Sequence, residues 1–375
     1  MEILLRSASE VPEAFVERLR TRTPGEQALA TTMSIDFKDN PIVDGLVACG
    51  LPGDVLAVDY FGHVSGPSAL WLGQRGHKEA RAVFERDFPG SYTVLGEPET
   101  DNTLDKYYQG RAVNRSHIKA LAVGSRILSL GGVNFTNYSY ENSVDAMLEF
   151  ESQEFADFLA WFIEKDGNLR DRDGPGVSFA LTDQNEVLVD NGKSDQSLIM
   201  NRVFADFRDE EILSVAMSST YMPAGYMYGR LHNVAEAGGE VVVYTNSLVK
   251  FRKPHTGMLE RKHRREDLAF IALGNLAARR RLVPIVDCLP KGTFNHFKAL
   301  VIRNKTGGGV AYMGSHNFHP ISVKFGTAEI ALRTTDPVLM DQIETFMADN
   351  LAPSEDRRQA RLFGLRDVFG ALSPM

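Results

Sequence analysis

The sequence predicts an internally duplicated α/β protein: two similar units, each a mixed β-sheet flanked by helices, related by a pseudo-twofold axis. Three observations carry this expectation. A chain of 375 residues, 43% of them hydrophobic, can bury a large core and has the length of two domains or of one domain built from two halves. A segment of about twenty residues occurs twice, and the stretches flanking the two copies correspond.

The first copy reads Asn114-Arg-Ser-His117-Ile-Lys119-Ala-Leu-Ala-Val, a few polar residues, then Ile127-Leu-Ser-Leu-Gly-Gly-Val-Asn134. The second reads Phe294-Asn-His296-Phe-Lys298-Ala-Leu-Val-Ile, a polar Gly-rich turn, then Val310-Ala-Tyr-Met-Gly-Ser-His-Asn317. Both carry His-x-Lys, an apolar run, a turn, a second apolar run and Gly-(Gly/Ser)-x-Asn. The runs are short, aliphatic or β-branched, and bounded by turn residues, so each copy predicts a strand, a hairpin turn and a second strand. His and Lys two positions apart project from one face of the first strand. Asn134 and Asn317 fall just past the ends of the partner strands, where glycines permit tight backbone. Each copy can therefore set one His, one Lys and one Asn around a single point.

The flanks repeat as well. Residues 28–37 read as a strand before a helical stretch at 41–49, and residues 212–219 as a strand before a helical stretch at 227–237. An acidic strand residue follows each Asn, Asp145 in the first half and Glu329 in the second, and helices follow at 153–164 and 337–350. Asp, Asn and Gly throughout 165–176 mark a linker, so the halves divide as 1–170 and 171–375, the second ending in a helical tail.

Cleaving a phosphodiester without a metal requires a nucleophile, an acid for the leaving oxygen, and cations around the phosphoryl oxygens. Two sets of His, Lys and Asn supply all three. One neutral imidazole attacks phosphorus, the other imidazolium protonates the departing alkoxide, and the roles exchange when the phosphohistidine is released. Two lysines and two asparagines surround the oxygens. A nucleophilic imidazole needs its second ring nitrogen held by an acceptor, for which Asp145 and Glu329 are the candidates.

The pattern resembles the phospholipase D superfamily, and within it the cardiolipin synthase and phosphatidylserine synthase branch more than the nucleases. The resemblance rests on His117-Ile-Lys119 with Gly131-Gly132-Val133-Asn134, and on His296-Phe-Lys298 with Gly314-Ser315-His316-Asn317. It extends more weakly along nearly the whole chain, including Ser218-Ser-Thr-Tyr-Met-Pro before the second-half helix. It implies a phospholipase D-like fold, His117 as nucleophile and His296 as general acid. The family usually carries an Asp seven residues after each His, where it supports local structure; here those positions are Gly124 and Arg303.

The remaining expectations concern substrate and setting. The catalytic set calls for no cofactor and no metal, and the sequence has no HExxH, CxxC or clustered ligand set. The expected substrate is a phospholipid phosphodiester, with peripheral membrane contact. Residues 221–228, rich in Tyr and Met, are a candidate apolar approach, and Leu362, Leu365, Phe369 and Leu372 recur at helical spacing among arginines in the tail. A net charge of −8 disfavours nucleic acid as the partner, although cations crowd between 250 and 265 and at 279–281. A metal-independent nuclease or DNA-end phosphodiesterase would use the same residues, and an inactive scaffold would keep the fold. Two distant cysteines, an N-terminus without a signal-peptide core, and apolar stretches too short to span a bilayer predict a cytoplasmic location. The sequence leaves the oligomeric state, head group and acceptor open.

Overall fold

A computed structural model describes residues 2–60, 74–96, 115–193, 195–246, 281–286, 288–290, 293–319, 323 and 326–351. The cationic stretch 250–265, with Arg279 and Arg280, and the helical pattern at 362–372 lie outside the described residues. The chain packs as two compact units. The first comprises Met1–Ile199, Gly314–His316 and Val323–Leu332; the second comprises Met200–Met313, Asn317–Ser322 and Arg333–Met375.

The first unit contains, in chain order, β1 (Leu4–Ser7), α1 (Val11–Arg20), β2 (Ala28–Thr32), α2 (Pro41–Cys49), β3 (Val55–Asp59), α3 (Gln74–Asp87), β4 (Ser91–Leu95), β5 (Arg115–Ser116), β6 (Ala120–Val123), β7 (Arg126–Ser129), α4 (Asn137–Asn142), β8 (Ser143–Val144), β9 (Ala146–Glu151), α5 (Gln153–Glu164), β10 (Gly176–Thr182) and β11 (Asn185–Asp190). Helix α6 (Leu198–Asp206) starts at its end. Seven of these strands form a mixed sheet in the order β1-β9-β7-β6-β2-β3-β4. Strands β2, β3 and β4 are parallel, joined through α2 and α3, because parallel neighbours need a crossover. Strands β6 and β7 form the predicted hairpin, with Leu121 opposite Leu128 and Val123 opposite Arg126.

Local chemistry explains where these helices start. The Asn40 side chain accepts from the Ile42 amide at 2.9 Å just before Pro41, whose fixed φ suits a first helical position. Ser152 Oγ accepts from the Phe155 amide at 3.1 Å to open α5. Phe15 and Leu19 of α1 pack with Ile42 and Leu46 of α2 over Leu56, Val58, Leu121 and Leu128 of the sheet. Each such side chain, fully buried, stabilises the fold by roughly 1.5–3 kcal/mol.

The second unit contains β12 (Ile212–Ser218), α7 (Tyr226–Glu236), β13 (Glu240–Thr245), β14 (Leu282–Val286), β15 (Phe294–Asn295), β16 (Ala299–Asn304) and β17 (Gly309–Gly314). Strand β18 (Thr327–Ala328) falls in the first unit and β19 (Ile330–Thr334) begins there, and α8 (Pro337–Leu351) lies in the second. Within it the order is β17-β16-β12-β13-β14. Strands β12, β13 and β14 are parallel and β16 and β17 form an antiparallel hairpin. The first unit's series β7-β6-β2-β3-β4 has the same order and the same strand directions. The duplication read from the repeated segment is thus a duplication of topology.

Two details differ from expectation. His117 and Lys119 precede β6, and His296 and Lys298 precede β16, in short segments outside the named strands. The positions where the family carries Asp lie at the other end of each first strand. Gly124 (φ +58) opens the turn between β6 and β7, and Arg303 on β16 bonds Asp341 at 2.5 Å and Glu344 at 2.9 Å on α8. Both positions already have structural work remote from the histidines. Among the described residues no helix is long and apolar enough to cross a membrane.

Candidate active site

Each His-x-Lys segment is pinned by its own backbone. Lys119 Nζ donates to the carbonyl of His117 at 2.8 Å, and Lys298 Nζ donates to the carbonyl of His296 at 2.5 Å. The lysines thus curl back on the peptide of the histidine two residues earlier, and both are buried, at 2% exposure. Burial pulls Lys119 below the ordinary lysine range, and Glu329, Asp145 and Asp59 oppose that shift.

The residue before each histidine locks the segment from the other side. In the first repeat the Ser116 amide donates to Asp59 Oδ2 at 2.7 Å, and Ser116 Oγ accepts from the Ile118 amide at 3.2 Å. In the second repeat the Asn295 amide donates to Asn246 Oδ1 at 2.9 Å, and Asn295 Oδ1 accepts from the Phe297 amide at 3.0 Å. Asp59 ends β3 and Asn246 follows β13, so equivalent strand ends hold equivalent loops. Sequence reasoning missed this pair of braces, because the residues forming them lie far from the motif and differ between halves.

The glycines of Gly-(Gly/Ser)-x-Asn are required by close approach. A Cβ on Gly131 would fall 1.9 Å from the carbonyl oxygen of Ala146, and one on Gly314 would fall 2.1 Å from that of Ile330. Ala146 follows Asp145 and Ile330 follows Glu329, so the strand carrying each acid presses against the glycine of its own repeat.

The first unit gathers an acid from the far end of the chain. Strand β18 pairs in parallel with β5, Thr327 opposite Arg115 and Ala328 opposite Ser116, and the His117 amide donates to the carbonyl of Ala328 at 2.9 Å. That pairing brings Glu329 to His117, whose Nδ1 lies 2.8 Å from Glu329 Oε1. Ser315 Oγ donates to Glu329 Oε2 at 2.5 Å. The Glu329 side chain is 1% exposed and that of His117 is 20% exposed. Burial alone would raise the Glu329 carboxyl, but the charge and hydrogen bond of His117, followed by His316 and Lys119, outweigh it and hold it below the ordinary glutamate range. His316 is pushed down to about 4, first by burial and then by His117, with Glu329 opposing, so its ring is neutral at pH 7. Asp145, 1% exposed, accepts from the amide of Ala146 at 2.9 Å.

Asn134 and Asn317 close the two Gly-(Gly/Ser)-x-Asn segments. The Oδ1 atom of each is buried without a hydrogen-bond partner, whereas buried polar groups are nearly always satisfied. The Asn317 backbone is nonetheless fixed, its carbonyl accepting from Ser219 Oγ at 2.6 Å.

His117, Lys119, Asn134, Asp145 and Glu329 therefore belong to the first unit, and His296, Lys298 and Asn317 to the second. Of the two candidate acceptors read from the sequence, Asp145 and Glu329, Glu329 holds His117, a histidine of the other repeat.

No family model and no curated protein matches the chain. Among solved structures, it is similar to phosphatidylserine synthase of Haemophilus influenzae Rd KW20, with a TM-score of 0.65, 14% identity, and coverage of 97% of this chain and 93% of that one. It is similar to polyphosphate kinase of Porphyromonas gingivalis with a TM-score of 0.56 and 13% identity over 92% of this chain, which spans half of that protein. The chain shares the fold of these two enzymes.

Proposed function

We propose that the protein is a phospholipase D-type phosphodiesterase or phosphatidyltransferase that acts on phospholipid phosphodiesters through a phosphohistidine. One observation carries the reading most: His117 is held at Nδ1 by the buried, ionised Glu329. A proton kept on Nδ1 puts the lone pair of the neutral ring on Nε2, and the adjacent carboxylate stabilises the positive charge that grows when Nε2 bonds to phosphorus.

In this reading Nε2 of His117 attacks phosphorus and the bond to the leaving alkoxide breaks. The His296 imidazolium gives that alkoxide its proton. His296, now neutral, takes the proton of the acceptor hydroxyl, whose oxygen attacks phosphorus and expels His117. Lys119 and Lys298, with Asn134 and Asn317, neutralise and orient the phosphoryl oxygens. Each of the two Asn amides can present its NH₂ to a phosphoryl oxygen. A phospholipid substrate is favoured by the resemblance of the repeated motifs, by the likeness to a phosphatidylserine synthase and by the charge of −8, which supplies little attraction for a polynucleotide.

The test presents purified protein with labelled phosphatidylglycerol vesicles and, separately, labelled single-stranded DNA. Release or transfer of the lipid phosphatidyl group, abolished by His117→Asn, is the expected result. DNA cleavage without lipid turnover would reassign the substrate class, and failure on both would remove the activity.

A further inference from the structure

The two repeats differ where they should matter most. Gly131-Gly132-Val133-Asn134 of the first aligns with Gly314-Ser315-His316-Asn317 of the second, so Ser315 and His316 replace a glycine and a valine. We infer that Ser315 is a positioning residue that aims the Glu329 carboxylate at His117 and thereby keeps the Nδ1 proton in place.

Hydrogen-bond direction supports this. The Ile330 amide donates to Ser315 Oγ at 3.0 Å, while the Ser315 amide donates to the Ile330 carbonyl at 2.8 Å. With that amide as its donor, the hydroxyl sends its own proton to Glu329 Oε2 at 2.5 Å. A carboxylate that already accepts from Ser315 and faces His117 through Oε1 is an acceptor on both oxygens, so the ring supplies the proton at Nδ1. Ser315 and Glu329 are 0% exposed and His316 is 1% exposed, so the hydroxyl and the carboxylate meet away from bulk solvent. The charged and titratable neighbours acting on Glu329 are His117, His316 and Lys119, and Glu329 in turn acts on Asp190, whose amide donates to the Glu329 carbonyl at 2.9 Å. Gly132 offers no such hydroxyl in the first repeat, so the device exists once. It makes the two repeats chemically unequal at this position.

The inference leans on the proposed phosphohistidine chemistry only in its kinetic arm. Its primary readout is the titration of the His117 ring, followed by NMR of histidine-labelled protein and assigned by comparison with His117→Asn. Ser315→Ala deprives a buried carboxylate of a donor, which disfavours its charged form and leaves less negative charge opposite the ring. The His117 titration should fall by about one pH unit. With substrate, kcat should fall about tenfold at unchanged KM, because a hydrogen bond to a charged group is being lost. Ser315→Thr, which keeps the hydroxyl, should restore both values, and Ser315→Cys, similar in volume but a weak donor, should behave as the alanine variant does. The cysteine variant also serves if Ser315→Ala does not fold. An unshifted His117 titration in a folded Ser315→Ala or Ser315→Cys variant overturns the inference. An inactive wild type whose His117 titration still responds to Ser315 would overturn the enzymatic reading and leave this one standing.

Discussion

Glu329 Oε1 lies 2.8 Å from Nδ1 of His117, across 212 positions of sequence and from the opposite repeat. An acid of the second repeat thus holds a histidine of the first. Glu329→Gln preserves shape and an acceptor oxygen but removes the charge that steadies an imidazolium. We expect kcat to fall by about 10²-fold with the protein still folded, and the His117 titration to move to lower pH. Steady-state kinetics with an NMR titration would check both; an unchanged titration would mean that the carboxylate does not tune the ring.

The proposed covalent intermediate would separate the roles of the two histidines. His296→Asn should slow leaving-group protonation and acceptor activation, so that enzyme trapped with substrate carries an acid-labile phosphatidyl adduct. His117→Asn should carry none. Mass spectrometry under neutral conditions reads the adduct, and the opposite pattern would exchange the assignments.

Two buried groups tilt stability with pH in opposite directions. His316 has its folded pKa lowered from 6.5 to about 4 by burial. Between those values the unfolded chain binds a proton that the folded chain refuses, so stability is lost as pH falls through the window, by roughly 3 kcal/mol at its acid end. Asp190 has its folded pKa raised from 3.8 to about 7, by burial first, although Ser197 Oγ at 2.6 Å and the Ile199 amide at 3.0 Å support its anion. There the folded chain keeps the extra proton, and stability is lost as pH rises from about 4 to about 7. Urea midpoints across this range should show the wild type losing ground to His316→Gln as pH falls and to Asp190→Asn as pH rises.

Gly314→Ala places a Cβ 2.1 Å from the carbonyl oxygen of Ile330, a backbone atom that can yield only by moving β19. Because Glu329 directly precedes Ile330, the displacement should disturb the site as well as the core. We expect a loss of about 1–3 kcal/mol in stability together with a loss of activity. Denaturant unfolding and kinetics on the same preparation would test the linkage.

Introducing an Asp at position 303, where the resembled family carries one, should not help. Arg303→Asp removes the bonds to Asp341 and Glu344 and sets a third carboxylate against them. The side chains involved are partly exposed, so the cost is modest, about 1–2 kcal/mol. Activity should stay within about twofold, since the residue lies a strand's length from His296. A gain in turnover would show that this position communicates with the site.

Sequence alone determined the elements whose information is local or repeated. The hairpins β6–β7 and β16–β17 follow from short apolar runs around turn residues, and α2 and α5 begin where Asn40 and Ser152 offer side-chain caps. The spacing of His, Lys and Asn was legible because it occurs twice. Only the tertiary structure decided which acid serves which histidine. That choice depends on β18 pairing with β5 and on the Ala328 carbonyl accepting from the His117 amide, contacts between segments more than two hundred residues apart. Motif spacing records what each segment offers, whereas long-range backbone pairing records which segments meet. The bracing of His117 by Asp59 and Ser116, and the burial that makes His316 neutral and Ser315 a fixed donor, were invisible for the same reason. A side chain's hydrogen-bond direction and its dielectric surroundings exist only once distant strands have closed over it.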